Sequence, residues 1–162
     1  MRVGKTTVGR LLAQRLDKRY VETDSIIVKK AGKSIAQVFE DDGEIAFREI
    51  EIEVVKELAS KEGLVIDCGG GVVLNRINID RLKQNAIIIW LKASADIILK
   101  RTSSDGDQRP LLNQKKNVSS IQSLIRFRKS FYEWAADIEV DTSKMSPESV
   151  VSEIIEQQKR IC

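Results

Sequence analysis

Gly4-Lys5-Thr6-Thr7, near the beginning of the chain, is the stretch that decides the fold. It matches the second half of the phosphate-binding loop (P-loop) pattern G-x-x-x-x-G-K-[ST], in which backbone N–H groups at the start of a helix hold phosphate groups. In that pattern the lysine reaches the outer phosphates and the hydroxyl after it ligates Mg²⁺. So short a string is common by chance, and its position therefore matters. Apolar residues at helical spacing follow it to about Lys18, which predicts a helix opened by a glycine turn.

Short apolar runs alternate with amphipathic segments along the rest of the 162 residues. The predicted strands are Tyr20–Thr23, Leu64–Asp67, Ile87–Leu91 and Ile138–Asp141. Further helices are predicted through Ile26–Val28, from Gly43 to about Lys61, at about Ala95–Arg101, at Ile121–Ala136 and from about Pro147. This alternation implies right-handed βαβ units. We therefore expect an α/β fold of the P-loop NTPase type, a three-layer sandwich in one domain, residues 1–162, whose parallel sheet is covered by helices on both faces.

The first part of the P-loop pattern would lie before Met1. Counting back from Gly4 puts its first glycine two positions before Met1, and the strand that feeds the loop is absent. That strand is central in this fold, so its loss would leave two neighbouring strands with unpaired ladders. We expect an interrupted sheet, and we do not expect the chain as written to be stable and active. Our hypothesis is that the natural protein begins roughly ten residues upstream.

Composition excludes several chemistries and disfavours several partners. The 27 basic and 24 acidic residues leave a net charge of +3 without a basic block, so nucleic acid is a poor candidate partner. The chain has no histidine, which excludes a Ser-His-Asp triad, a histidine zinc site and a histidine base. Two cysteines are too few for a disulfide framework, and no apolar run is long enough for a membrane span. We expect a cytoplasmic protein that does not bind membranes.

The long polar stretch from Thr102 to Ser120 has no clear periodicity. Long segments of this kind inside compact domains are usually functional or disordered. The composition favours neither an active-site lid nor a plain mobile loop, and both interpretations stay open.

Five motifs follow one another along the chain: Glu22-Thr23-Asp24, Gly43-Glu44 with Phe47-Arg48 and Glu51, Gly69-Gly70-Gly71, Arg109-Pro110-Leu111-Leu112, and Arg128 four residues before Tyr132. This ordered set resembles shikimate kinase over residues 1 to about 160. The resemblance implies phosphorylation of shikimate to shikimate 3-phosphate in aromatic amino acid biosynthesis, with ATP and Mg²⁺ as cofactors. It also implies a monomer with a substrate-binding helical region at about residues 25–60 and a lid at about 102–120.

The resemblance assigns roles on the nucleotide side of the site. The expected nucleotide-binding residues are Gly4, Lys5, Thr6, Thr7, Arg101 and Arg109. Lys5 would contact the β- and γ-phosphates, Arg101 would lie against adenine, and Arg109 would close over the transferring phosphoryl group. Lys5 and Arg109 are thus expected to be catalytic, together with Asp24. Thr6 and Glu22 are the expected metal ligands.

On the substrate side the resemblance implies that Asp24 orients the attacking hydroxyl of shikimate and accepts its proton. Arg48 and Arg128 would grip the substrate carboxylate, a task suited to guanidinium groups. Gly69, Gly70 and Gly71 would let backbone N–H groups approach the substrate.

Glu22 departs from the family pattern, which has aspartate at this position. The extra methylene shifts the carboxylate by about 1.5 Å. Mg²⁺ demands near-ideal octahedral geometry, so a water-mediated contact could absorb this shift, whereas a direct contact has little room for it.

Each assigned residue also has a simpler interpretation. Arg48 could pair with Glu44 on an exposed helix face, Asp24 could be a helix N-cap, and the glycines could form a strand-ending turn. Arg128 could be a solvated helix residue, with Arg126 mistaken for it. The alternative functions are another small P-loop kinase, acting on gluconate or a nucleoside monophosphate, and a non-catalytic binding protein derived from a kinase. Arg48 and Arg128 favour a carboxylated substrate.

Overall fold

Helices and short strands alternate through the computed structural model, which describes residues 4–103 and 118–162. The strands are β1 (Arg19–Glu22), β2 (Leu64–Asp67), β3 (Ile89–Lys92) and β4 (Ile138–Asp141). The helices are α1 (Lys5–Arg15), α2 (Thr23–Ala31), α3 (Ile35–Asp41), α4 (Gly43–Ala59), α5 (Arg76–Leu82), α6 (Ala95–Ser103), α7 (Val118–Ala135) and α8 (Pro147–Ile161), with a 3₁₀ turn at Val72–Leu74.

The strands pair in parallel, as the helices between them require. In β1 and β2, Val21 lies opposite Ile66, and in β3 and β4, Leu91 lies opposite Val140. Among the described residues the two pairs form separate two-stranded sheets. The expectations of a parallel α/β fold and of an interrupted sheet agree with this arrangement.

Helices cover both faces of the strand pairs. Neighbouring residues of a strand point to opposite faces of the sheet. The contacts of Val65 and Ile66 in β2 therefore show what covers each of the two faces. Val65, together with Ile89 of β3, packs against buried residues of α1, β4 and α8 (Val8, Leu12, Ile138, Val140, Val150, Val151 and Ile154). Ile66 packs, with Ile88, against buried residues of α4, the 3₁₀ turn, α5 and α7 (Val55, Val72, Val73, Ile79, Leu82 and Ala135). Both pairs therefore share the two cores of a three-layer sandwich.

The local predictions hold for most elements. Strands β2 and β4 have the predicted bounds, and α4 covers the long amphipathic run that began at Gly43. Strand β3 begins two residues later than predicted. The N–H of Ile88 donates to the carboxylate of Asp137, and the carbonyl of Ile88 accepts from the N–H groups of Asp137 and Ile138. Helices α3 and α5 were not predicted. In the described part of the chain, no helix is long and apolar enough to cross a membrane.

Gly9 lets β1 and α1 approach each other closely. A Cβ atom at Gly9 would lie 2.9 Å from Cε2 of Tyr20, nearer than real Cβ atoms come to their neighbours. The ring of Tyr20 therefore rests directly on the backbone of α1, at a buried position of the helix. This contact fixes the tyrosine at the edge of the phosphate-binding turn.

Replacing Gly9 with alanine should lower the free energy of unfolding by about 1–3 kcal/mol, because the added methyl overpacks against Tyr20. At an ordinary helix interior position the same change would stabilise the protein by about 0.5–1 kcal/mol. Urea unfolding followed by circular dichroism measures the difference.

The matched control is Gly9→Ala in a Tyr20→Ala background. There the ring is gone, and the ordinary gain in helix propensity should appear. A gain in stability for Gly9→Ala alone would show that the ring is not held where the structure places it.

Candidate active site

The expected site residues gather at the carboxyl ends of β1 and β2, beside the first turn of α1. Glu22 ends β1 and Asp67 ends β2, and the two are partners in the strand register. In open α/β folds, ligands bind at the carboxyl ends of parallel strands. Gly4 precedes α1 with φ 94°, and neither a side-chain cap nor an acidic residue occupies the first helical turn. That turn is suited to an anion, because its N–H groups and the helix dipole favour negative charge.

Asp67 joins the phosphate-binding turn to the sheet. Its side chain is only 3% exposed, and its Oδ1 lies 3.6 Å from Nζ of Lys5. Thr6 Oγ1 donates a hydrogen bond to Asp67 Oδ2 over 3.0 Å, and the hydroxyl of Tyr20 donates to the same oxygen over 2.9 Å. A buried carboxylate is tolerated when it is paired and hydrogen-bonded in this way.

Neither Asp67 nor Tyr20 was among the residues expected from the sequence. Asp67 carried a signal, because it is an acidic residue at the end of a predicted buried strand. Tyr20 carried none, since its partner lies 47 positions away. Burial, followed by the hydrogen bond to Asp67, raises the pKa of Tyr20 to about 12, so the phenol keeps its proton.

The oxygen atoms near Thr6 fit a magnesium ion. The hydroxyl of Thr6 donates its one hydrogen bond to Asp67, so the lone pairs of the Thr6 oxygen remain free for a cation. Among the described residues there is no group of three or more acidic, cysteine or histidine side chains that would form a complete metal cage. Mg²⁺ usually binds through one or two carboxylates together with substrate phosphates, so a sparse set of protein ligands suits it.

The junction between β1 and α2 is tied to the glycine run. Thr23 is fully buried; its Oγ1 accepts a hydrogen bond from the N–H of Gly69 over 3.1 Å and donates to the carbonyl of Asp67. A Cβ atom at Gly69 would lie 2.9 Å from Oδ1 of Asp24, so that carboxylate lies close to Gly69. The N-cap position of α2 is occupied by Glu22, so the simpler interpretation of Asp24 as the N-cap is wrong. Glu22 itself accepts a hydrogen bond from Ser25.

Arg48 lies between two glutamates and the end of the glycine run. Its Nη1 donates to Glu51 over 2.8 Å and its Nη2 to Glu44 over 3.3 Å. The expected pair with Glu44 therefore exists, but Arg48 is only 14% exposed and its closer partner is Glu51. A Cβ atom at Gly71 would lie 2.5 Å from both terminal nitrogens of Arg48. A side chain at Gly71 would require the guanidinium to move from this position.

Glu51 connects the charged residues of the substrate side. Its side chain is 1% exposed, and burial raises its pKa. Arg48 and Arg128 pull that pKa down, whereas the charge of Asp24 pushes it up. The four residues thus lie within electrostatic reach of one another. The sequence motif contained Glu51, but no role was expected for it.

Arg128 is buried on α7, whereas Arg126 is exposed. The alternative that Arg128 is a solvated helix residue is therefore wrong. Its Nε atom has no hydrogen-bond partner in the described part of the chain. Four residues later, the hydroxyl of Tyr132 donates to the carbonyl of Gly70 over 2.6 Å, and Arg128 lowers the pKa that burial raises in Tyr132. Tyr132 thus contacts the glycine run from the side of α7, and Arg128 lies close to Tyr132.

Arg101 comes close to the phosphate-binding turn. It donates hydrogen bonds to Oγ1 and to the carbonyl of Thr142, both over 3.2 Å. A Cβ atom at Gly4 would lie 3.9 Å from Nη1 of Arg101. Arg109 and most of the expected lid lie outside the described residues.

A phosphate-binding turn close to two arginines and a carboxylate is typical of P-loop phosphotransferases that act on small molecules. The family profile for shikimate kinase matches residues 1–159. The chain therefore belongs to the shikimate kinase family, in agreement with the resemblance in its motifs. Phosphorylation of shikimate by ATP is the activity of that family.

Individual relatives agree with this assignment. The shikimate kinase of Caldicellulosiruptor bescii is 42% identical over 152 residues, which cover 94% of this chain and 87% of that protein. The structure of shikimate kinase from Acinetobacter baumannii in complex with shikimate superimposes with a TM-score of 0.91 at 32% identity, covering 98% of this chain and 88% of that one. A gluconokinase from Sinorhizobium meliloti covers 99% of this chain and 88% of that one with a TM-score of 0.63, but its 20% identity shows a shared fold only.

Replacing Arg48 with alanine should destabilise the fold by about 3–5 kcal/mol near neutral pH, because Glu51 would lose its nearest cation while staying buried. Loss of Arg48 raises the pKa of Glu51 further above its ordinary value. A carboxyl whose folded pKa exceeds its unfolded pKa costs stability as the pH rises from the unfolded value through the folded one. The free energy of unfolding, measured in urea between about pH 5 and pH 8, should fall more steeply with pH in the variant than in the wild type.

Glu51→Gln in the Arg48→Ala background removes the titrating group and should flatten this pH dependence. Arg126→Ala, at an exposed position, serves as the control for loss of an arginine. A destabilisation by Arg48→Ala that is equal at every pH would contradict the buried ion pair.

Proposed function

We propose that the protein transfers the γ-phosphoryl group of ATP to a hydroxyl of shikimate, giving shikimate 3-phosphate, with Mg²⁺ held beside Thr6. The observation that carries this proposal is the convergence of two anion-binding groups on residues 67–71. Asp67 ties the P-loop to one end of that segment, and the guanidinium of Arg48 lies against Gly71 at the other end. The phosphate donor and the carboxylated acceptor would thus bind at opposite ends of the segment of residues 67–71.

On the nucleotide side, the N–H groups of Gly4 to Thr7 surround the β- and γ-phosphates and Lys5 neutralises their charge. Arg101 lies beside the adenine, consistent with its place near Gly4. Thr6 would hold the metal through its oxygen, with the carboxylates of Asp67 and Glu22 beside it. Lys5 and the backbone N–H groups neutralise only part of the phosphate charge, and Mg²⁺ would neutralise more of it.

On the substrate side, Arg48 and Arg128 bind the carboxylate of shikimate. The backbone of Gly69, Gly70 and Gly71 lines the sugar-like ring. A side chain at Gly69 would collide with Asp24, so the glycine preserves the place of the carboxylate that orients the attacking hydroxyl.

Positioning and charge supply most of the catalysis in phosphoryl transfer, and little covalent help is needed. Asp24 holds the hydroxyl in line with the γ-phosphorus and takes its proton as the bond to phosphorus forms. Because the chain has no histidine, a carboxylate is the natural acceptor for that proton. We expect Lys5 to stabilise the negative charge that develops on the leaving ADP oxygen, and Arg109 to stabilise the transferring phosphoryl group.

We further propose a cytoplasmic monomer that binds neither nucleic acid nor membranes. The support is the nearly balanced charge of the chain, 27 basic against 24 acidic residues, without a basic block. Sedimentation of the protein at micromolar concentration, with and without duplex DNA and anionic vesicles, tests all three expectations.

An assay that couples ADP release to an optical signal tests the proposed reaction with shikimate, gluconate and AMP as acceptors. For the protein with its natural N-terminus, we expect turnover with shikimate and none with gluconate or AMP. Arg128→Ala should lower kcat/KM for shikimate by about 30-fold or more, because it removes a buried, charge-assisted contact with the carboxylate. The KM for ATP should change little.

Arg126→Ala is the matched control, since Arg126 lies two residues away on the same helix but is exposed. It should behave as the wild type. Turnover with gluconate or AMP in place of shikimate would refute the proposed substrate, and nucleotide binding without turnover on any acceptor would favour a non-catalytic protein. Equal effects of Arg128→Ala on both substrates would remove Arg128 from the carboxylate site.

A further inference from the structure

Tyr20 approaches the phosphate-binding turn from β1, although no sequence motif includes it. Its hydroxyl donates to Oδ2 of Asp67 over 2.9 Å, and Thr6 Oγ1 donates to the same oxygen over 3.0 Å. A carboxylate oxygen has two lone pairs, so these two hydroxyls occupy Oδ2 completely. Only Oδ1 of Asp67 is left facing Lys5, at 3.6 Å.

The ring of Tyr20 has little freedom to leave this position. One edge rests on the backbone of α1 at Gly9, where even a methyl group would collide with it. The guanidinium of Arg10, on the next residue of α1, lies 4.8 Å from the ring centroid. The hydroxyl is therefore presented to Asp67 by a ring that extends from β1 and packs against two consecutive residues of α1.

We propose that Tyr20 is a positioning residue for the metal site. It fixes the Asp67 carboxylate so that the hydroxyl of Thr6 donates its hydrogen bond to Asp67 and the lone pairs of the Thr6 oxygen remain available for Mg²⁺. The inference rests on the proposed placement of Mg²⁺ beside Thr6 and Asp67. Partners that orient metal-binding groups from behind typically change metal affinity by about 10–100-fold when they are removed.

The geometry suggests a second consequence for Lys5. At 3.6 Å, the contact between Lys5 Nζ and Asp67 is longer than a normal charged hydrogen bond. Two hydrogen bonds to Oδ2 anchor the carboxylate and keep it from turning towards the lysine. Without Tyr20, one of those anchors is lost, and Asp67 can form a tighter ion pair that competes with the phosphates for Lys5.

Tyr20→Phe removes the hydroxyl and keeps the ring that packs on Gly9. We expect the apparent Kd for Mn²⁺ in the presence of ADP, measured from the free-ion signal by electron paramagnetic resonance, to rise about 10-fold. The Mg²⁺ concentration for half-maximal turnover should rise by a similar factor, while the KM for shikimate should stay the same. The binding measurement does not depend on catalysis.

Tyr132→Phe is the matched control, because it also deletes a tyrosine hydroxyl that is hydrogen-bonded near the site, to Gly70 rather than to Asp67. It should leave Mn²⁺ binding unchanged. An equal weakening of Mn²⁺ binding in both variants would show a general loss of order and would overturn the specific role of Tyr20.

Asp67→Asn separates this inference from the proposed function. If Asp67→Asn weakens Mn²⁺ binding and Tyr20→Phe does not, the metal placement stands and the role of Tyr20 is refuted. If Asp67→Asn has no effect, the metal placement itself fails, and with it the inference. The double variant Tyr20→Phe/Asp67→Asn should bind Mn²⁺ as Asp67→Asn does, since Tyr20 acts through Asp67; independent, multiplying losses would overturn that path.

Discussion

The carboxylate of Asp67 is the constraint on which the site depends. It is almost completely buried, and a buried charge is costly unless partners surround it. The partners of its side chain come from two elements: Thr6 and Lys5 from the start of α1, and Tyr20 from β1, while Asp67 itself ends β2. The same interaction that compensates the charge therefore also fixes the P-loop against the ends of the strands. Structure and nucleotide site share one set of contacts.

Glu51 is the buried carboxylate at the centre of the charged residues on the proposed substrate side, as Asp67 is on the nucleotide side. The nearest cation to Glu51, Arg48, lies against Gly71. The segment from Asp67 to Gly71 joins the two charge clusters, with Cys68 inside it. Burial, and next the charge of Asp67, raises the pKa of Cys68 to about 12, so the thiol stays neutral between the two acids. Five consecutive residues hold the two halves of the site in fixed relation.

Sequence patterns predicted what depends on neighbours along the chain. The bounds of β2 and β4, the long helix α4 and the opening of α1 follow from local periodicity and glycine positions. Helix α3 was missed although Ser34 and Gln37 form a capping box, whose pattern is visible in the sequence. Helix α5 has seven residues and no side-chain cap, so it offered little signal. Asp67 and Tyr20 matter through contacts between distant segments, which periodicity cannot reveal.

The two arginines of the substrate side have unequal surroundings, and that inequality bears on their function. Arg48 is neutralised by Glu51 at 2.8 Å, whereas Nε of Arg128 has no hydrogen-bond partner among the described residues. A buried guanidinium nitrogen without a partner costs free energy in the empty protein. In the proposed function, a bound carboxylate would give this nitrogen a partner, so part of the substrate's affinity would come from removing that cost.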